Sequence, residues 1–117
     1  MAYLDLFVGP IATGNKDAYS AYAEKMAALT MQAGALSVVA CWGADLPEGM
    51  PCLLAASVDV GADETVVLRM VRWNSRQDRD AGWAAMMNNP AMQAAAVDMP
   101  FDRSRVRYCG FEVLSDR

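Results

Sequence analysis

The chain contains no histidine. That absence removes the side chain most often used as general base, haem ligand or metal ligand, and it makes a Ser-His-Asp or Cys-His catalytic pair impossible. Metal binding would have to rest on carboxylates and thiolates, whose spacing suits neither zinc nor calcium. No tightly held metal, haem or other cofactor is therefore expected. Lysine is almost as scarce: Lys16 and Lys25 are the only basic residues before Arg69, and all later ones are arginines. With 10 Lys and Arg against 14 Asp and Glu, the formal net charge of -4 opposes attraction to a phosphate backbone. Nucleic acid is thus a poor partner, and the aromatic-basic interleaving of a single-strand platform is missing too.

Other absences narrow the field further. Phosphate-cradling runs of the G-x-x-x-x-G-K-[ST] or G-x-G-x-x-G type do not occur. Cys41, Cys52 and Cys109 cannot all pair within one chain, and none falls in a CxxC spacing, which fits reduced thiols in a cytoplasmic setting. The opening Met1-Ala2-Tyr3-Leu4-Asp5 lacks the basic and apolar regions of a signal peptide. No stretch approaches the roughly 20 apolar residues of a membrane span, so neither export nor a membrane partner is expected.

What is present is ample apolar material. Hydrophobic residues make up 55% of the 117 positions and charged residues 21%, enough for one domain over residues 1–117 with a core and an apolar interface. Residues 3–9 alternate as a strand does, with Tyr3, Asp5 and Phe7 on one side and Leu4, Leu6 and Val8 on the other. Asn15 is placed to cap a helix whose apolar residues include Tyr19, Tyr22, Met26, Leu29 and Ala33, and Gly34 is placed to end it. Residues 36–43 read as a second strand, and Pro47, Gly49 and Pro51 signal a loop. The run from Cys52 to Val60 is too short for periodicity to decide between helix and extended chain.

The β-branched residues from Thr65 to Trp73 predict a third strand, and Ser75 an N-cap for a helix from Arg76 to about Asn88. Pro90 suits the first turn of another short helix, and residues 105–114 predict the closing strand. The order is βαββαβ, an α+β ferredoxin-like fold whose four-stranded antiparallel sheet has strands one and three in the centre. Helices would cover one sheet face only. The other, apolar face then requires a lid, a ligand or a second copy, and a homodimer formed through it is the expectation.

Tyr3-Leu4-Asp5-Leu6-Phe7-Val8 with Pro10, Gly14-Asn15, Asp63-Glu64-Thr65-Val66-Val67, Ser75-Arg76 with Arg79-Asp80, and Asn89-Pro90 carry a family resemblance. Its most specific parts are Asp98-Met99-Pro100-Phe101-Asp102 and Gly110-Phe111-Glu112. Across nearly its whole length the chain resembles the YbaA-like proteins of bacteria, a domain of unknown function within the dimeric α/β-barrel superfamily. The resemblance implies that fold and a two-fold dimer. It implies no activity.

Asp5 is the one charged residue inside strand one. If strands three and four flank strand one, Arg69 and Arg107 lie on neighbouring strands within its reach, keeping the carboxylate ionised. Two uses follow, a structural ion pair or the lining of an inter-subunit cavity. Arg103, Arg105 and Arg107 alternate and so would point to one side of a strand, as an anion clamp or a solvated edge. Trp83, beside Met86 and Met87, is the preferred apolar pocket residue. The predicted ligand-binding set is Asp5, Arg69, Trp83 and Arg107, with no catalytic residue assigned.

The function expected from these residues is binding of a small, partly apolar or acidic molecule between sheet and helices. The alternatives are a non-catalytic protein-interaction module or, by superfamily analogy alone, an oxygenase that needs no cofactor.

Overall fold

In the computed structural model of the chain, residues 1–46 and 58–117 are described. The loop signalled by Pro47, Gly49 and Pro51, and residues 52–57 of the undecided run, lie outside them. The elements are β1 (Tyr3–Ala12), a 3-10 turn (Thr13–Asn15), α1 (Lys16–Gln32), β2 (Ser37–Trp42), β3 (Glu64–Trp73), α2 (Arg76–Met87), α3 (Pro90–Val97), a second 3-10 turn (Arg103–Arg105) and β4 (Arg107–Glu112). The strands form one antiparallel sheet in the order β2-β3-β1-β4, so β1 and β3 are central as the pattern required.

β1 runs three residues beyond the alternating stretch and takes in Pro10. Proline is tolerated there because the ladder between β1 and β4 has already stopped at Val8 opposite Arg107, leaving β1 with one neighbour. At the end of α1 the amide of Gly34 donates to the Met31 carbonyl while Gly34 holds a φ of 110°, a conformation that favours glycine. Ser75 caps α2 by accepting from the Asp78 amide, and Asn89 caps α3, with Pro90 in its first turn.

Odd-numbered β1 residues face the helices. Tyr3, Val71 and Trp73 pack with Ala35, Ala33, Trp83 and Met86, while Ile11 and Val67 pack with Tyr19, Trp42 and Phe101. α2 reaches the sheet at Gly82, where a Cβ would stand 2.4 Å from the Trp73 ring. Any larger residue would lift the helix off the indole.

The opposite face is less bare than the strand pattern suggests. Val8 and Val66 are buried there beneath Val58, with Leu46 and Val60 alongside, so part of the β2–β3 connection covers one end of the sheet. Val58 and Asp59 form a turn, not a helix or strand. The rest of the face stays open: Val39 and Phe111 are each 46% exposed, and Leu4 and Met70 are half-buried.

Candidate functional site: a cleft between sheet and helices

Asp5 points to the helix side and is completely buried, yet neither arginine predicted for it is its partner. Arg107 stands opposite Val8, whose side chain faces the other side of the sheet. The period of two that puts Asp5 and Phe7 on one face excludes it from that face. Arg107 instead donates to the Ser104 carbonyl. Arg69 shares Asp5's face but sits two pairs further along, opposite Phe7, with its guanidinium carbon 4.4 Å from that ring's centroid.

The groups that satisfy Asp5 come from elsewhere. Trp73 Nε1 donates to Oδ2 at 3.0 Å, and the Tyr108 hydroxyl donates to Oδ1 at 3.0 Å. Arg79, one turn into α2 and 7% exposed, lies 3.9 Å from Oδ1. It donates to the hydroxyls of Tyr108 at 2.8 Å and Tyr3 at 3.3 Å. The ion pair is thus relayed through a phenol. Sequence reasoning passed over Arg79, although it stands four residues before Trp83 and so belongs to the inward stripe of the same helix.

Burial, together with the hydrogen bond to Asp5, pushes the Tyr108 hydroxyl up to about 12. This hydroxyl both accepts from Arg79 and donates to Asp5, so it has no proton to offer a substrate. Trp83 packs against Phe7 and Tyr108 at 6.3 and 5.0 Å between ring centroids, with Arg79 over its ring. It backs the cluster and does not line the cleft described next.

Beside this cluster, between the sheet and α1, is a cleft of about 390 Å³. Its floor is Phe7, Val67, Arg69 and Tyr108, all on the helix-facing side of the sheet. α1 contributes Tyr19, Tyr22 and Met26, one helical turn apart along a single stripe. Met92 and Ala96 of α3 close one side, and the segment after α3 adds Met99, Phe101 and Arg103. That segment is tied to the start of α1, because the Asn15 side-chain amide donates to the Pro100 carbonyl at 3.0 Å. Asn15 was expected to cap α1 through its side chain and does not.

The electrostatics of the cleft are one-sided, since no Asp or Glu lines it among the described residues. Arg69 donates no hydrogen bond to any described residue, its Nε is buried without a partner, and no described carboxylate lies within ion-pair distance. Burial lowers its pKa, while Tyr22, Tyr19 and Asp5 act in the opposite sense. An arginine nonetheless keeps its charge at any physiological pH. Burial raises the hydroxyl pKa of Tyr19 and Tyr22, and Arg69 pulls both back down.

The expected alignment of Arg103, Arg105 and Arg107 does not occur, because the first two form a 3-10 turn before the strand begins. Arg105 turns away to a two-pronged pair with Glu64, at 2.8 and 2.9 Å, and also donates to the Asp59 carbonyl. Only Arg103 reaches the cleft.

Among the described residues no group of three or more metal-ligating side chains is found, and no helix is long and apolar enough to cross a membrane.

Comparison with known proteins places the chain. It is 38% identical over 116 residues to the uncharacterized protein YbaA of Escherichia coli K12, an alignment covering 99% of both chains. The YbaA protein of Shigella flexneri matches to the same extent. Among solved structures, Rv0793 of Mycobacterium tuberculosis superimposes with a TM-score of 0.59 at 14% identity, covering 99% of this chain and 98% of that one. A dimeric ferredoxin-like protein from an uncultured marine organism gives 0.56 at 11% identity over 99% and 98%. At such identities these structures share the fold alone. Residues 2–103 match the family described as a protein of unknown function, DUF1428, and the chain belongs to that family.

Proposed function

We propose that the protein binds a small organic acid in the cleft between sheet and helices, and that it does so as a homodimer joined through the open part of the other sheet face. The observation that carries the first half is Arg69: a charged guanidinium set among aromatic and thioether side chains, with a buried Nε and no anion to meet among the described residues. A half-buried cation with no partner among the described residues is costly, and a ligand carboxylate is the natural means of offsetting it. The hydroxyls of Tyr19 and Tyr22 add donors beside it, and methionines give the walls an adaptable surface. The dimer is supported by the exposed Val39 and Phe111 on the open face, and by a ferredoxin-like structural relative that is itself dimeric.

Binding describes this cleft better than turnover. Asp5, the carboxylate nearest to serving as a base, is sealed behind Tyr108, and the lining groups are arginines, phenols, thioethers and hydrocarbon. Calorimetric titration with benzoate and with benzyl alcohol tests the reading. Benzoate is expected to bind and the alcohol to bind far more weakly, with benzoate affinity lost in Arg69→Gln. Equal affinity for acid and alcohol, or an unchanged Arg69→Gln variant, would remove the basis for an acid site.

A further inference from the structure

We infer that the preferred guest is a flat diacid, its inner carboxylate on Arg69 and its outer one on Arg103. This rests on the cleft being an organic-acid site. Two guanidiniums border one cleft, and Asp102 and Glu64, the two carboxylates engaged by the turn that carries Arg103, are already committed. Asp102 accepts from both the amide and the hydroxyl of Ser104, and Glu64 is held in the two-pronged pair with Arg105. Arg103 has no ion-pair partner among the described residues. A chain of net charge -4 therefore presents to a single cleft two positive charges that no described residue balances.

The two charges stand at different depths. Arg69 rises from a central strand and its Nε is buried, whereas Arg103 is exposed on the 3-10 turn at the rim. Tyr22 lines the same cleft, and its hydroxyl feels both guanidiniums. A ligand with one acidic group would leave one arginine unmatched, while an acidic group at each end matches both.

The walls specify what joins those groups. Phe7 lies under Arg69, and Phe101 meets Tyr22 edge-on at 5.4 Å and Tyr19 edge-on at 6.1 Å. Such walls favour a planar ring over a flexible chain, because a ring stacks and has fewer rotors to freeze. At about 390 Å³ the space falls at the small end of ligand sites, as a compact ring acid requires.

The experiment compares terephthalate, its monomethyl ester, benzoate and adipate by calorimetry, with tryptophan fluorescence as a second signal, Trp42 lying 6.2 Å from Tyr19. Wild type, Arg69→Gln and Arg103→Gln are used, each shown to be folded by circular dichroism and thermal melting. Terephthalate should bind roughly tenfold or more tighter than its half-ester, the gain from one charge-assisted hydrogen bond at a partly exposed rim. In Arg103→Gln that advantage should vanish, with terephthalate losing far more affinity than benzoate does, and in Arg69→Gln benzoate binding should itself be lost.

If wild type holds the half-ester as tightly as the diacid, or Arg103→Gln keeps the full preference, the second anchor is wrong although the acid cleft stands. Adipate matching terephthalate overturns the planar part of the inference. If none of the four binds, or if Arg69→Gln retains benzoate, the acid cleft itself is refuted and the diacid falls with it.

Discussion

Asp5 shows how far a single residue could be read without coordinates. A carboxylate within a central strand had to be neutralised, and so much followed from the sequence. Its partners did not, because strand register decides which arginine stands opposite which residue, and an offset of two pairs took Arg69 to Phe7 while the alternation of β4 took Arg107 to the far face. Among the described residues, Asp5→Asn leaves buried Arg79 only the exposed Asp80 to balance it. We expect it to lose about 3 kcal/mol in urea denaturation. Combining it with Arg79→Met should restore part of that loss, the sign of a coupled pair.

Tyr108 makes a second prediction at the same scale. Its folded pKa, about 12, lies above the ordinary 10.0, so the native state holds the proton more tightly. Its stabilising contribution is full below pH 10 and is lost as pH rises from 10 towards 12, where the unfolded chain deprotonates first. Tyr108→Phe should flatten that part of an alkaline unfolding profile, and ultraviolet tyrosinate absorbance should show one late-titrating phenol fewer. Gly82→Ala offers a third. Alanine favours a helix by about 1 kcal/mol over glycine, but a Cβ 2.4 Å from Trp73 forces a repacking of about 1–3 kcal/mol. The variant should therefore melt below wild type despite its better helix former.

Among the elements, the strands and helices were legible because each carries its own period: two along β1, and the stripe of Tyr19, Tyr22 and Met26 along α1. The cleft was not legible. Its walls come from β1, β3, β4, α1, α3 and the segment between α3 and β4, and no local pattern says that six pieces of chain will converge. Only Arg69, from the predicted ligand-binding set, lies in it. The reading of residues 105–114 as one strand failed at its start, because Asp102 caps a 3-10 turn and bends Arg103–Arg105 out of alternation.

The pair formed by that turn with β3 also sets a response to acid. Hydrogen bonds from Arg105 and from the Gly61 amide lower the Glu64 pKa from 4.5 to about 2. A depressed carboxylate stabilises the fold above its ordinary pKa, and the contribution fades as pH falls from about 4.5 to about 2. In Glu64→Gln the acid unfolding profile should lose slope within that window and nowhere else.

For the whole molecule, the open face gives the prediction that matters most. A patch holding exposed Val39 and Phe111 beside half-buried Leu4 and Met70 would shed water by meeting a copy of itself. Light scattering should give twice the 12.7 kDa of one chain, and Phe111→Lys should halve that mass while leaving the far-ultraviolet spectrum unchanged. A single-chain mass for the wild type would withdraw the dimer but leave the cleft, which lies on the helix side of the sheet, where it is.

One tether has a bearing on speed. Residues 98–103, which bring Phe101 and Arg103 to the mouth, are pinned to the front of the long helix by the Asn15 amide on the Pro100 oxygen, a bridge spanning 85 positions of sequence. On the proposed reading, a guest held by Arg103 would exchange past this tether. Its strength therefore governs dwell time: cutting it with Asn15→Ala should quicken both arrival and departure in stopped-flow traces while equilibrium occupancy barely shifts.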